Sequence, residues 1–332
     1  MEPVLELDQA WAVPSPGPQL RKLRRAAEAL RERFLVGPRV VSVRTFPLVA
    51  LPYPSRLAFA GAALSPAPLV TVTHRCVLVQ LLDRGELRNL LFNPTAVEPA
   101  QALPVFPRTG ERFFGRRFET LEQQLAHVGL VPADIDWVAF ESLHLQKLDG
   151  LATRFPNAKL LVNEAALRDL DDLHPLQRAW HVLDTRPTAV TLTTGDVALG
   201  DGVLLLRTPG RAPGAQSLFL NTTSGIWGVS GNGSCADSWS PHASKIAGLA
   251  ATADRLGLEV LPGSTAPDAL GLQYNAMVLE RTLADRLDRA PGFLQLFPVS
   301  EVTPGLLAPG LGPTVVHDAI SDGAVVRPRA RE

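Results

Sequence analysis

The sequence predicts a mixed α/β chain with strands and helices interleaved around one continuous core, on three observations. Runs rich in β-branched residues alternate with turn signals, amphipathic helical periods stand between them, and the second half repeats the style of the first. Residues 18–36, PQLRKLRRAAEALRERFLV, set Leu20, Leu23, Ala27, Leu30 and Phe34 at three- and four-residue spacings, which predicts an amphipathic helix with a solvated basic face. Between 40 and 106, VVSVRTFPLVAL, PLVTVTHRCVLVQLLD, an RGEL turn and NLLFNP read as a meandering sheet. ETLEQQLAHVG reads as a helix closed by Gly129, and the strand WVAFESL follows. KLLVNE reads as a strand, AALRDLDDL as a helix, and HPLQRAWHVLD as a second helix or lid. DVALGDGVLLLRT is a hairpin pattern turning at Gly200-Asp201-Gly202, and SLFLNTTSGIWGVSG is another, turning at Ser224-Gly225. A helix over 241–256 with Ile246, Leu249 and Leu256 inward, a short strand EVLPGS, a long helix over 268–289 and a hairpin in TVVHDAISDGAVVRP, turning at Asp322-Gly323, complete the reading. The expected organisation is an N-terminal extension with the amphipathic helix (1–36), one domain (37–300) and a C-terminal extension (301–332).

Composition excludes several classes. The 332 residues are 46% hydrophobic and 20% charged, so the chain can bury a large core. A formal charge of -1 gives no global field toward nucleic acid or an anionic membrane. Only two cysteines, Cys76 and Cys235, are present, without C-x-x-C spacing, which fits a reducing compartment. Early acids and prolines stand where a signal peptide needs a basic start and an apolar run, so a cytoplasmic location is expected. His174 and His181 are seven apart, about 11 Å along a helix and too far to share one ion. His74, His242 and His317 stand in contexts that give no ligand set, and GDG and SGNGS are turn chemistry without the strand-loop-helix frame of a nucleotide fingerprint.

Three phrases occur in order. LVPADIDWVAFESLHLQKLDGLATRFPNAKLLVNEAAL has a helix end, a strand and then a loop; LLLRTPGRAPGAQSLFL follows a hairpin strand; GIWGVSGNGSCADSW runs out of the next strand. Together they resemble the metallo-β-lactamase-fold hydrolases, in particular the lactonase-like members, whose corresponding phrases are T-H-x-H-x-D-H, T-P-G-H-T-x-G-H-x-S-L and a G-D strand end. The resemblance spans roughly 80–280 and implies an α/β, four-layer αββα sandwich.

The same resemblance implies metal ligands at positions where this sequence has other residues. Ser142 stands at the first histidine, His144 at the second, Gln146 at the aspartate and Lys147 at the last histidine of the first phrase. Arg211 and Ala215 replace the histidines of the second phrase, Asn232 the bridging aspartate, and Ser264 the final histidine. Zinc needs several histidine, thiolate or carboxylate donors at about 2.0 to 2.3 Å, and a two-metal centre needs a carboxylate between the cations. Serine, asparagine and glutamine are poor substitutes, and Lys147 and Arg211 would aim positive charge at the place of two dications. No cofactor is therefore expected, zinc included.

The altered cleft would present Glu141, Ser142, His144, Lys147, Asp149, Arg211, Asn232, Cys235 and Ser264. Three readings stay open. Lys147 and Arg211 fill the vacated volume and pair with Asp149 or Glu141; or they clamp a carboxylate or phosphate of a ligand; or Cys235 or a serine attacks a carbonyl with His144 as base. The expectation is a metal-free pseudoenzyme that binds a small anionic molecule or a protein partner, with a metal-independent hydrolase or lyase as the alternative and a zinc hydrolase with non-standard ligands as the remote one. No nucleic-acid or membrane partner is expected, and the N-terminal helix leaves room for a homo-oligomer.

Overall fold

A computed structural model describes residues 1–95, 116–143, 148, 150–171, 190–210, 212–263, 269–305, 308, 311–317 and 319–327. The chain begins with β1 (Glu2–Pro3), α1 (Leu5–Trp11), α2 (Pro16–Val36), β2 (Ser42–Pro54) and α3 (Ser55–Ala58). It continues through β3 (Leu69–Asp83), β4 (Glu86–Phe92), β5 (Arg116–Arg117), α4 (Leu121–His127), β6 (Trp137–Ala139), α5 (Leu151–Arg154), β7 (Lys159–Asn163) and α6 (Glu164–Asp171). The second half runs β8 (Val190–Thr193), β9 (Val197–Gly200), β10 (Val203–Arg207), β11 (Gln216–Thr222), β12 (Gly225–Ser230), α7 (Leu249–Leu256) and α8 (Leu270–Leu283). It closes with β13 (Arg286–Leu287), β14 (Ala290–Leu294), β15 (Leu296–Pro298), β16 (Ser300–Thr303) and β17 (Ser321–Asp322).

Two sheets hold the core. One has the order β1-β9-β10-β11-β12-β15; the other has β17-β2-β3-β4-β6-β7-β8, with β16 on β3 and β5 on β2. Period-2 alternation explains why they stack. On β10, Leu204 and Leu206 face a helical layer with Leu23, Ala27, Met277 and Leu283, while Val203 and Leu205 face the other sheet. On β3, Val77, Val79 and Leu81 meet them across the sheet interface, while Cys76 and Leu78 face α4 to α6 through Leu121, Leu125, Leu151 and Ala166. The layers are therefore helix, sheet, sheet, helix.

The N-terminal helix forms as the spacing predicts and buries Leu23, Ala27 and Leu30, with Leu20 and Phe34 partly covered. It is fastened as well as packed. Asn275 Nδ2 donates to Pro16 O at 3.1 Å and to Gln19 Oε1 at 2.9 Å, Arg24 pairs with Glu259 and Arg31 with Asp285. At the helix end Phe34 O accepts from Gly37 N at 3.3 Å and also from Asn221 Nδ2 at 2.7 Å, which ties the C-terminus of α2 to β11. The RGEL turn has Arg84 and Gly85 both at positive φ, as a two-residue hairpin turn needs.

Several expectations are corrected. The helix expected over 241–256 is confined to Leu249–Leu256, because Gly248 sits at φ 96 against the Ala62 carbonyl, and Leu256 points outward. EVLPG, the described part of EVLPGS, is not a strand: Leu261 N donates to Ser238 O within a loop, although Val260 and Leu261 are buried. The helix of 268–289 ends at Leu283, and residues 286–294 form the β13-β14 hairpin. Among its described residues the terminal segment forms no hairpin; β17 joins the edge of β2 instead, with Ser321 opposite Arg44. HPLQRAWHVLD, with His174 and His181, lies outside the described residues.

Candidate functional site

Strands β4, β6, β7 and β8 are parallel neighbours, so their carboxyl ends open on one edge of the sandwich. In sheets of this kind ligands bind beyond those ends. Chain leaving β6 is held there by both sheets: Asn93 Oδ1 accepts from Glu141 N at 2.8 Å, Gln216 N donates to Glu141 O at 2.8 Å, and Gln216 Nε2 donates to Phe140 O at 2.9 Å. Ser142 Oγ donates to Glu141 Oε1 at 3.1 Å. The Glu141 carboxylate lies against Gly231, where a Cβ would stand 1.8 Å from Oε2. Position 231 is thus a glycine because the carboxylate fills the space a side chain would take. This contact brings Glu141, Ser142 and Asn232 to one place.

Asn232 is fixed by a buried carboxylate the sequence reading missed. Glu280, on α8 and fully buried, accepts from Ser217 Oγ at 2.8 Å, Ser230 Oγ at 2.8 Å and Asn232 Nδ2 at 2.9 Å through Oε1, and from Trp239 Nε1 at 2.7 Å through Oε2. Burial pushes the Glu280 carboxyl upward, and hydrogen bonds from Asn232, Ser230, Ser217 and Trp239 oppose it. Asn232 Nδ2 also donates to Thr208 O at 3.1 Å. A carboxylate and a carbonyl can only accept, so the amide nitrogen must face them, and Asn232 Oδ1 faces the other way.

Among the described residues that oxygen has no hydrogen-bond partner, nor do the buried atoms Asn93 Nδ2 beyond β4, Asn163 Nδ2 on β7, Thr193 Oγ1 on β8 and Gln273 Oε1 on α8. Buried polar atoms are nearly always satisfied, and these exceptions, among several in the fold, are the ones that lie at or near the strand ends. Gln273 reaches the same region, since its Nε2 donates to Asn232 O at 3.1 Å.

The described residues do not fit a dinuclear zinc centre. Asn232 turns its amide nitrogen into Glu280, the Glu280 oxygens are taken by four donors, and Ser142 is bonded to Glu141. Among the described residues, no three His, Cys, Asp or Glu side chains gather where one ion could bind. His144, Gln146, Lys147, Asp149, Arg211 and Ser264 lie outside the described residues.

Cys235 corrects an expectation. Its place three residues beyond Asn232 left it as one candidate nucleophile of the cleft, but it is fully buried in an apolar cluster with Val70, Val72, Ile246 and Leu249. Burial raises its thiol well above the ordinary range, reinforced by Asp237 and opposed by a hydrogen bond from Ser238. It is a protonated core side chain at neutral pH. The signal that could have found Glu280 was its place in AMVLERTL, three residues after the buried Met277 and so on the inward face of α8.

No protein-family model matches the chain, and no curated protein matches it. Solved structures do resemble it. An N-acyl homoserine lactone hydrolase with N-hexanoyl-L-homoserine at its catalytic metal centre is 20% identical over 70% of this chain and 90% of that one, with a TM-score of 0.46. A probable metal-dependent hydrolase from Staphylococcus aureus is 13% identical over 57% and 73%, with a TM-score of 0.44. A Thermotoga maritima protein described as a metallo-β-lactamase is 20% identical over 67% and 96%, with a TM-score of 0.38. Likenesses of this degree say nothing of this chain's chemistry. Among the described residues, no helix is long and apolar enough to cross a membrane. By its layering of helix, sheet, sheet and helix, the chain is the four-layer αββα sandwich that the sequence leads one to expect.

Proposed function

We propose that the chain works without metal and binds a small anionic molecule in the cleft at the strand ends. The observation that carries this reading is Asn232, whose amide nitrogen is committed to Glu280 and Thr208 while its buried Oδ1, like the buried amides of Asn93 and Asn163 at strand ends, has no partner among the described residues. A metal-bridging carboxylate at position 232 would instead face two acceptors. Asn93 Nδ2 and Asn163 Nδ2 are donors suited to an anion's oxygens. Lys147, eight residues beyond the end of β6 in sequence, and Arg211, four beyond the end of β10, would supply the charge, Arg by its planar fork and Lys as a point charge.

Two measurements test the reading. Elemental analysis of protein expressed with added zinc should find well under one zinc per chain; stoichiometric zinc overturns the metal-free reading. Calorimetry with inorganic phosphate and with succinate should show saturable binding that Arg211→Ala weakens by about tenfold, the size of a charge-assisted hydrogen bond. Affinity unchanged by Arg211→Ala and by Lys147→Ala removes the anion clamp.

A further inference from the structure

A second cavity, of about 580 Å³, lies in the helical layer on the other side of α8 from Gln273 and the strand ends. Its walls include Leu20 of α2, Leu256 of α7, Leu258, Leu261 and, on α8, Leu270 and Gly271. The size falls within the range of roughly 300 to 1,000 Å³ of small-molecule sites and is far beyond one water, about 30 Å³ in the liquid. Water would find few partners inside. Asn275 Nδ2 is spent on Pro16 O and Gln19 Oε1, and Tyr274 Oη accepts from Glu259 N at 3.4 Å.

The chemistry of the walls selects the occupant. They are aliphatic, with Tyr274 the one aromatic ring, so they offer methylene contacts and little stacking. Leu256 and Leu270 are 53% and 40% exposed, which puts the mouth of the cavity beside them and leaves apolar surface in water. The rim is cationic on one side. Arg21 Nη1 lies 4.0 Å from where a Cβ of Gly17, a wall residue, would stand, and among the described residues Arg21 has no acidic partner. The neighbouring Glu259 carboxylate is neutralised by Arg24 at 2.7 Å.

We propose that this cavity holds the aliphatic tail of a single-chain amphiphile with an anionic head, a fatty-acid-like molecule whose head group sits at Arg21. Position 271 offers a clean test. Gly271 lines the cavity and a Cβ added there meets nothing within 4 Å, so Gly271→Phe adds a large side chain at the wall without displacing backbone, in a helix where glycine is itself unfavourable. Thr252→Phe, from the facing wall on α7, is the second blocking variant.

The experiment is calorimetry of the full chain with decanoate, octanoate and decan-1-ol below their aggregation concentrations. Decanoate should bind saturably at one site, octanoate about tenfold more weakly for two fewer buried methylenes. Either blocking variant, with its cooperative melt retained, should lower decanoate affinity by about tenfold or more. Arg21→Glu should weaken decanoate by about fivefold and leave decan-1-ol unchanged. Non-saturable uptake, native affinity in both folded blocking variants, or binding seen only with phospholipid vesicles overturns the proposal. Equal losses for decanoate and decan-1-ol on Arg21→Glu overturn the anionic head.

Discussion

Replacing Asn232 by aspartate restores the residue that a bridging-metal site would require, and the structure says what this costs. The amide nitrogen lies 2.9 Å from Glu280 Oε1, so Asn232→Asp sets a carboxylate oxygen there against a carboxylate and the Thr208 carbonyl. Two unit charges at that distance repel by about 6 kcal/mol at an effective dielectric of about 20. The pair escapes part of this by holding one proton between them, so the expected loss of stability is about 3 to 4 kcal/mol at about pH 7.5. The sign with pH follows. The pair titrates above the unfolded carboxyls in the folded state, so the variant recovers stability as pH falls, by about 1 kcal/mol or more at about pH 5. Urea unfolding of both proteins at the two pH values measures it. A variant within about 1 kcal/mol of native at both pH values, or a penalty that does not shrink in acid, refutes the account of Asn232. Stabilisation of the variant by added zinc would refute the metal-free reading as well.

Three further outcomes follow from buried groups. Asp196, fully buried beside Arg207 and Asp8, is raised to about 7 by desolvation, opposed by Arg207 and reinforced by Asp8. Its folded form therefore keeps a proton that the unfolded form loses near pH 4, so native stability should fall by about 2 to 3 kcal/mol between about pH 5 and about pH 7.5, and Asp196→Asn should flatten that slope. Glu301→Gln should cost about 3 kcal/mol in urea unfolding, because Glu301 pairs with buried Arg75 at 2.9 Å and accepts from His317 N and Nδ1 at 2.9 Å. Thiol titration should find Cys76 and Cys235 unreactive until denaturant is added, when both react; rapid labelling of Cys235 in the folded protein would return it to consideration as a nucleophile.

The layers were legible because local pattern and burial agree. VLLLR on β10 feeds two different cores by alternation, Gly85 and Gly202 stand at turns with positive φ, and α2 packs by its spaced leucines. Glu141, Ser142 and Asn232 were also readable, since phrase order fixes which strand ends meet. What stayed hidden depends on distant partners. The spacing of AMVLERTL puts Glu280 on the inward face of its helix, but its partners Ser217, Ser230, Asn232 and Trp239 come from distant segments that the spacing does not reveal. Cys235 could not be assigned to a core or a cleft from its distance beyond a strand end. The segment 241–256 had helical spacing, but the close approach of Ala62 to Gly248 is a tertiary fact.

The pairing of β16 with β3 carries a consequence for synthesis of the chain. His74 meets Ser300 across 226 residues, and β17 reaches back to β2 from still later in the sequence. A nascent polypeptide must therefore hold the start of β3 and the outer edge of β2 without these partners until residues 300–322 have left the ribosome. Such late closure makes folding slow and leaves products truncated before residue 300 without the strand that caps the start of β3. Chaperone dependence during translation, and aggregation of such fragments, are the expected cellular signatures of this topology.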